Sequence, residues 1–192
     1  LYFVNPKGEQ KNKPTQIWTQ GETEANSAWM VTIDKPNQKT TQEIYMTVPG
    51  KYVTLSNGLK VSEKKNADGT RTDYWKMDLP HAPYLFFMGV GDFSIIKDTP
   101  YKGKEVSYYV EKDQAPFAKK VFGNTPEMIK FFSEKLGVDF PWQKYAQIVG
   151  RDYVSGAMEN TTATLHQESA YQNNRQLADE NLWESTIAHE LF

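Results

Sequence analysis

Val53-Thr54-Leu55-Ser56-Asn57-Gly58-Leu59-Lys60-Val61 is the segment on which the fold turns. Val53 and Leu55 alternate with polar neighbours, Asn57-Gly58 supplies two residues that tolerate positive φ, and Leu59 and Val61 alternate back. Side chains along a strand point to opposite faces with a period of two, so the pattern predicts a β-hairpin closed at Asn57-Gly58. Similar signals lie on either side. Trp29-Met30-Val31-Thr32-Ile33 and Ile44-Tyr45-Met46-Thr47-Val48 are rich in β-branched and aromatic residues and are separated by turn residues. Asp68-Gly69 makes a second return into Tyr74-Trp75-Lys76-Met77, and residues 84–90 are continuously apolar enough for a buried strand. Links this short join neighbouring strands antiparallel.

Past Thr99 the pattern changes. Val106-Ser107-Tyr108-Tyr109-Val110 reads as one more strand and is followed by a helix whose ends are written in the residues: Thr125 as cap, Pro126 at the first helical position and Gly137 as left-handed stop. Met128, Phe132 and Leu136 recur every four residues, with Ile129 and Phe131 beside them, which predicts one buried face. Ile148-Val149 reads as a strand, and Asn181 with Glu184 three residues on predicts the cap of a final helix. The fold class expected is α+β: an antiparallel β-rich part over 1–98 and the opening of a mixed α/β part over 99–192.

Composition bounds the function. The chain has 192 residues, of which 39% are hydrophobic and 14% aromatic, too many aromatics for a disordered polymer. A formal charge of −2, with Lys64-Lys65 and Lys119-Lys120 short and isolated, provides no field for phosphate backbones, so nucleic acid is not an expected partner. No apolar run approaches the about 20 residues that span a bilayer. Zero Cys removes disulfides, thiolate metal sites and a thiol nucleophile together. The chain opens at Leu1 without Met and closes within a helical run, which leads us to expect an internal piece of a longer protein.

Two places can carry chemistry. Leu182, Thr186 and His189 fall at i, i+4 and i+7 of the final helix, so the His189 imidazole is expected to point inward with Leu182. A core histidine satisfied by one hydrogen bond has the same signature. His189-Glu190 is also the beginning of H-E-x-x-H, in which two histidines one turn apart bind zinc and the Glu acts as general base. Upstream, Gly156-Ala157-Met158-Glu159-Asn160 directly precedes the Thr161, Thr162, Thr164 run, which suits an extended strand. Its two small residues permit close approach of another backbone, with a carboxylate next to them, and a plain turn between strands has the same residues.

Taken in order, these segments resemble the M1 family of zinc aminopeptidases, also called gluzincins. Residues 156–160 match the family's G-x-M-E-N motif and His189-Glu190 follows it at a similar interval. Thr19-Gln20-Gly21-Glu22 precedes Asp34-Lys35-Pro36 much as a T-Q-x-E segment precedes D-x-P there, and Phe140-Pro141-Trp142-Gln143-Lys144-Tyr145 is similar to the stretch before the motif. The resemblance implies a saddle-like N-terminal β domain followed by the start of a thermolysin-like catalytic domain, and one Zn²⁺ in the complete protein. His189 would be its first ligand and Glu190 the general base, with the family's other two ligands falling past Phe192. It further implies that Glu22 and Glu159 hold the free α-ammonium of a peptide substrate, since two converging carboxylates are relieved by a cation and an internal peptide offers none. Gly156 and Ala157 would pair with the substrate backbone, Gln20 and Met158 would line the first side-chain pocket, and Asn160 completes the motif.

The expected partners are therefore a peptide with a free N-terminus and the rest of the catalytic domain, and this stretch alone is expected to be inactive. Asn26-Ser27 and Val31-Thr32-Ile33-Asp34 depart from the family's commoner Arg and Pro-Cys-Phe-Asp-like residues, which changes the surroundings of Glu22. The competing readings are a family member that also opens epoxides, a non-catalytic binding member of the same fold, and an unrelated zinc endopeptidase. The lack of Cys and the similarity to bacterial members favour a periplasmic or secreted parent over a cytoplasmic one.

Overall fold

Strand pairing, which is non-local, departs from the sequence reading first at Asn57-Gly58. The computed structural model describes all 192 residues, and in it Val53–Ser56 and Leu59–Lys65 are both strands, but they belong to different sheets. Asn57-Gly58 is a corner between sheets and not a hairpin turn. The local reading was right about the backbone: Gly58 has φ +72°, and a Cβ there would lie 1.9 Å from the Lys76 carbonyl oxygen. The partners were not written locally.

The chain divides into two compact units, Leu1–Asp92 with Asn160–Ala163, and Phe93–Glu159 with Thr164–Phe192. The first holds β1 (Tyr2–Val4), β2 (Gln16–Trp18), β3 (Thr40–Pro49), β4 (Val53–Ser56), β5 (Leu59–Lys65), β6 (Thr70–His81) and β7 (Met88–Gly91). They form a four-stranded sheet in the order β1-β2-β7-β4 and a three-stranded sheet in the order β3-β6-β5, with every pair antiparallel. The return at Asp68-Gly69 joins β5 to β6 as expected. Leu55, Met77, Phe86 and Phe87 are all but inaccessible and form the centre of the core with Trp18 and Trp75. Polar bridges tie the two sheets together: the Thr54 hydroxyl donates to Asp73 at 2.6 Å and accepts from the Trp75 indole at 2.9 Å. Arg71 grips both oxygens of the buried Asp73 at 2.7 and 2.8 Å, which gives the charge the partner that burial demands.

Two expected strands are corrected here. Residues 29–33 form none. Val31 and Ile33 are solvent-exposed, and Asn26 gathers the chain into a turn by accepting the Trp29 and Met30 amides on its backbone carbonyl. β propensity expresses a fit to a half-buried pleated surface, and no neighbouring strand provides one at this point. Of residues 84–90, only the end enters β7, because Pro83–Leu85 closes a single 3₁₀ turn with Pro83 at its start.

The second unit contains β8 (Phe93–Lys97), β9 (Glu105–Glu111), α1 (Ala118–Phe122), α2 (Thr125–Leu136), β10 (Lys144–Gly150), β11 (Ala157–Met158), β12 (Ala163–Gln167), α3 (Gln176–Asp179) and α4 (Glu184–Leu191). Its mixed sheet runs β11-β12-β10-β9-β8. β8 and β9 are antiparallel, whereas β9 and β10 are parallel and are connected through α1 and α2, as a parallel pair requires. The fold is thus α+β, with an antiparallel β-rich region followed by a mixed sheet with helices. Val106, Tyr108, Val110, Phe122, Ile129, Tyr145 and Ile187 build its core.

α2 ends as read, on Gly137 at φ +67°. Its start differs, since Thr125 is the first helical residue and its hydroxyl donates back to the Phe122 carbonyl at 2.6 Å. Its buried face is also rotated from the expected one. Ile129 is buried as expected, but Ser133 is buried beside it while Phe131 and Leu136 are exposed; the Ser133 hydroxyl is satisfied internally, donating to the Ile129 carbonyl and accepting the Phe140 amide.

Candidate functional site

The residues 156–160 leave β10 through a turn and form β11, which pairs antiparallel with β12 in the register Ala157↔His166 and Met158↔Leu165. The Gln167 amide extends the ladder by donating to the Gly156 carbonyl at 3.0 Å. β11 ends the sheet, so its outer edge has backbone donors and acceptors unused by any strand of this sheet. Gly156 is exposed, with open space where a Cβ would stand, while Met158 is buried. Glu159 is exposed. Asn160 is buried, with neither its amide nitrogen nor its oxygen hydrogen-bonded.

After Glu159 the chain enters the first unit for four residues. Asn160–Ala163 is a tight turn, with the Ala163 amide donating to the Asn160 carbonyl at 2.9 Å and Thr162 at φ +66°. The expected strand over Thr161 and Thr162 therefore begins only at Ala163. The Asn57-Gly58 corner holds this turn: Asn57 Nδ2 donates to the Thr161 carbonyl at 2.6 Å and the Gly58 amide donates to Thr162 Oγ1 at 2.8 Å.

Gln20 and Glu22 follow β2 in the first unit, Gln20 half-buried and Glu22 exposed. Between them, Gly21 is buried so closely that a Cβ would lie 2.0 Å from Asn26 Nδ2 and 2.3 Å from the Tyr84 carbonyl oxygen. This glycine is required by packing.

α4 packs against β11 within the second unit and so brings the helix of His189 and Glu190 beside the strand of Ala157 and Met158. Here the expected orientation is corrected. The buried residue of α4 is Ile187, Leu182 lies outside the helix and is exposed, and His189 is exposed and does not point into the core. Asn181 stands before the helix and its side chain bonds the Trp183 amide and the Val121 carbonyl; Trp183 occupies the cap position. Glu190 is half-buried and faces the buried Tyr145: burial pushes that phenol's pKa up, and the Glu190 carboxylate adds to the rise.

His166 could be mistaken for a second metal ligand, but both its ring nitrogens are used. Nδ1 accepts from the Trp183 indole at 3.1 Å, which places the proton on Nε2, where it is donated to Gln147 Oε1 at 2.9 Å. Gln147 Nε2 then donates to Thr125 Oγ1 at 2.8 Å. Burial lowers the His166 pKa to about 3 and keeps the ring neutral. His81 is buried in the first unit. No three His, Asp or Glu side chains in the chain group to hold a metal ion, so these residues do not make a complete zinc site; His189 provides one exposed imidazole. The sequence reading named Asn26 and Tyr145 only as members of compared stretches, passed over the His166 network, and took Asn57 for a turn residue, because each acts through partners more than 15 positions away for which no short motif exists.

Similarities to known proteins fall on the same segments. A model of the peptidase M1 N-terminal domain matches residues 2–85, and one of the peptidase family M1 domain matches residues 121–192. Human glutamyl aminopeptidase is 31% identical over 169 residues, covering 82% of this chain and 17% of its own length. Aminopeptidase M1 of Arabidopsis thaliana is 32% identical over 170 residues, 82% of this chain and 18% of its own. Endoplasmic reticulum aminopeptidase 2 of Bos taurus is 26% identical over 172 residues, 88% of this chain and 18% of its own. The chain thus spans less than a fifth of the length of these relatives.

Proposed function

Because the chain belongs to peptidase family M1, we propose that it forms the substrate-anchoring part of a zinc aminopeptidase that removes N-terminal residues from peptides. We take 1–98 as part of the N-terminal β domain and 99–192 as the first part of a thermolysin-like catalytic domain. The observation that carries the reading is the packing of α4, with His189-Glu190, against β11 of the residues 156–160.

Each residue has a part to play. His189 would give one imidazole to the zinc of the complete enzyme, where the bound metal supplies an acidified water. Glu190, half-buried, would act as the base that takes a proton from water and passes it to the leaving amine. The outer edge of β11 at Ala157 would offer backbone groups to an extended substrate, as a further strand does, and Gly156 beside it would leave room for the approach. Glu22 and Glu159 would clamp the α-ammonium, and Gln20 and Met158 would line the pocket for the first side chain. Asn160 closes the motif from a buried position.

The test uses the full-length enzyme that carries these residues, assayed with an amino-acid anilide and its N-acetylated form. Glu190→Gln is expected to abolish turnover. Glu159→Gln or Glu22→Gln should weaken the free-amine substrate by about 1.5–3 kcal/mol, the worth of a hydrogen bond to a charged group, and leave the poor acetylated substrate unchanged. Normal free-amine kinetics in both carboxamide variants would refute the anchoring role.

A further inference from the structure

Between β6 and β7 the backbone of 83–88 is largely buried and lies outside any regular ladder until Met88, so its polar groups need partners from elsewhere. Side chains supply them in an ordered way. Asn26 Nδ2 donates to the carbonyls of Pro83 at 2.8 Å, Tyr84 at 3.3 Å and Phe86 at 3.0 Å. Asn57 takes the remainder, donating from Nδ2 to the Leu85 carbonyl at 2.9 Å and accepting the Phe87 amide on Oδ1 at 2.7 Å. Ser56 donates to the Phe87 carbonyl at 2.7 Å, and Thr19 Oγ1 accepts the Met88 amide at 3.0 Å.

What these side chains hold on their other side gives the arrangement its meaning. Thr19 and Asn26 bracket the segment of Gln20 and Glu22, with Gly21 pressed onto Asn26. Asn57 and Gly58 hold Thr161 and Thr162, which are joined to Glu159 through Asn160 alone. All of these hydrogen bonds lie inside the first unit. We infer that the strap 83–88, gripped by Asn26 on one side and Asn57 on the other, is a mount within the first unit that positions the segment of Gln20 and Glu22 and, through Thr161 and Thr162, the turn that follows Glu159. The inference rests on the anchoring role proposed above and adds the residues that hold the segments from which the two carboxylates extend. Neither asparagine reaches the substrate; they are positioning residues. A clamp for one cation works only when its two carboxylates keep their separation, and a misplacement of about 1 Å can cost up to about a hundredfold.

The experiment compares Asn57→Ala, Thr162→Val and Thr162→Ser in the full-length enzyme. Thr162→Val removes the hydroxyl that receives the Gly58 amide while keeping shape, and Thr162→Ser restores it. Readouts are KM and kcat for an amino-acid 4-nitroanilide, and inhibition by an amino-acid hydroxamate and by the same hydroxamate without its α-amine. Asn57→Ala and Thr162→Val are expected to raise KM and weaken the amine-bearing inhibitor about tenfold, to leave kcat within about twofold, and to leave the amine-free inhibitor unaffected. Thr162→Ser should behave as the parent does. Equal losses for both inhibitors, or no loss for either, would overturn the inference, and the Thr162 pair decides it even if Asn57→Ala does not fold. If Glu159→Gln itself leaves amine selectivity intact, the anchoring reading falls; if Glu159→Gln loses it while Asn57→Ala and Thr162→Val keep it, the mount alone falls.

Discussion

Acidification from pH 7 to pH 5 is expected to destabilise the second unit by about 2 kcal/mol through His166 alone. In the folded chain its pKa is lowered to about 3 by burial, against an ordinary value of 6.5. The folded state refuses a proton that the unfolded state accepts, so unfolding takes up a proton wherever the pH lies between those values. The contribution is fully present above about 6.5 and is lost progressively as the pH falls towards 3, with a limiting slope of about 1.4 kcal/mol per pH unit. Carboxylates scarcely titrate in this interval, which isolates the histidines. The geometry agrees with the direction: a proton on Nδ1 would confront the Trp183 N–H that now donates to it. The assay is urea unfolding at the two pH values, followed by tryptophan fluorescence and repeated on His166→Gln. Glutamine keeps a donor and an acceptor but does not titrate, so the difference between pH 7 and 5 should shrink by about 2 kcal/mol whatever the variant's stability at pH 7. An unchanged pH dependence would show that the ring is not held neutral and that the Trp183–His166–Gln147 chain is misassigned.

Gly58→Ala should destabilise the first unit by about 2–4 kcal/mol in denaturant unfolding, adding a left-handed backbone penalty to a Cβ forced into the Lys76 carbonyl; a neutral result would exclude the corner. In α2, Ile129→Ala is expected to cost about 2–5 kcal/mol and Leu136→Gln to stay within about 0.5 kcal/mol, although the four-residue periodicity puts Leu136 on the buried face. The 192-residue chain, with no group of three ligands, is expected to lose added zinc on desalting and to leave an amino-acid anilide uncut. Stoichiometric zinc by atomic absorption, with chelator-sensitive cleavage, would contradict this.

At two glycines the backbone was legible in the sequence from the residue's own stereochemistry, whereas the left-handed Thr162 was not. Asn57-Gly58 and Gly137 announced positive φ, and the structure has Gly58 and Gly137 there. The change from period two to helical spacing marked an antiparallel β-rich region followed by a mixed one, although the compact units divide after Asp92. Motif order pointed to the M1 family, since G-x-M-E-N and H-E are short contiguous segments that can be read without knowing their partners. Partners over long separations were beyond its reach. Alternation in Val53 to Val61 is the same for two strands of one hairpin as for strands of two sheets, and in the fold β4 is largely buried while β5 is exposed along its whole length. The inward His189 failed for a related reason: periodicity ranks positions around a helix but does not say which arc the neighbours cover, and Ile187 occupies it. Asn57 shows the division most plainly. Its tolerance of a turn was local and readable, but its bonds to Leu85, Phe87 and Thr161 span 28, 30 and 104 positions, and only the tertiary structure could bring those groups within reach of one side-chain amide.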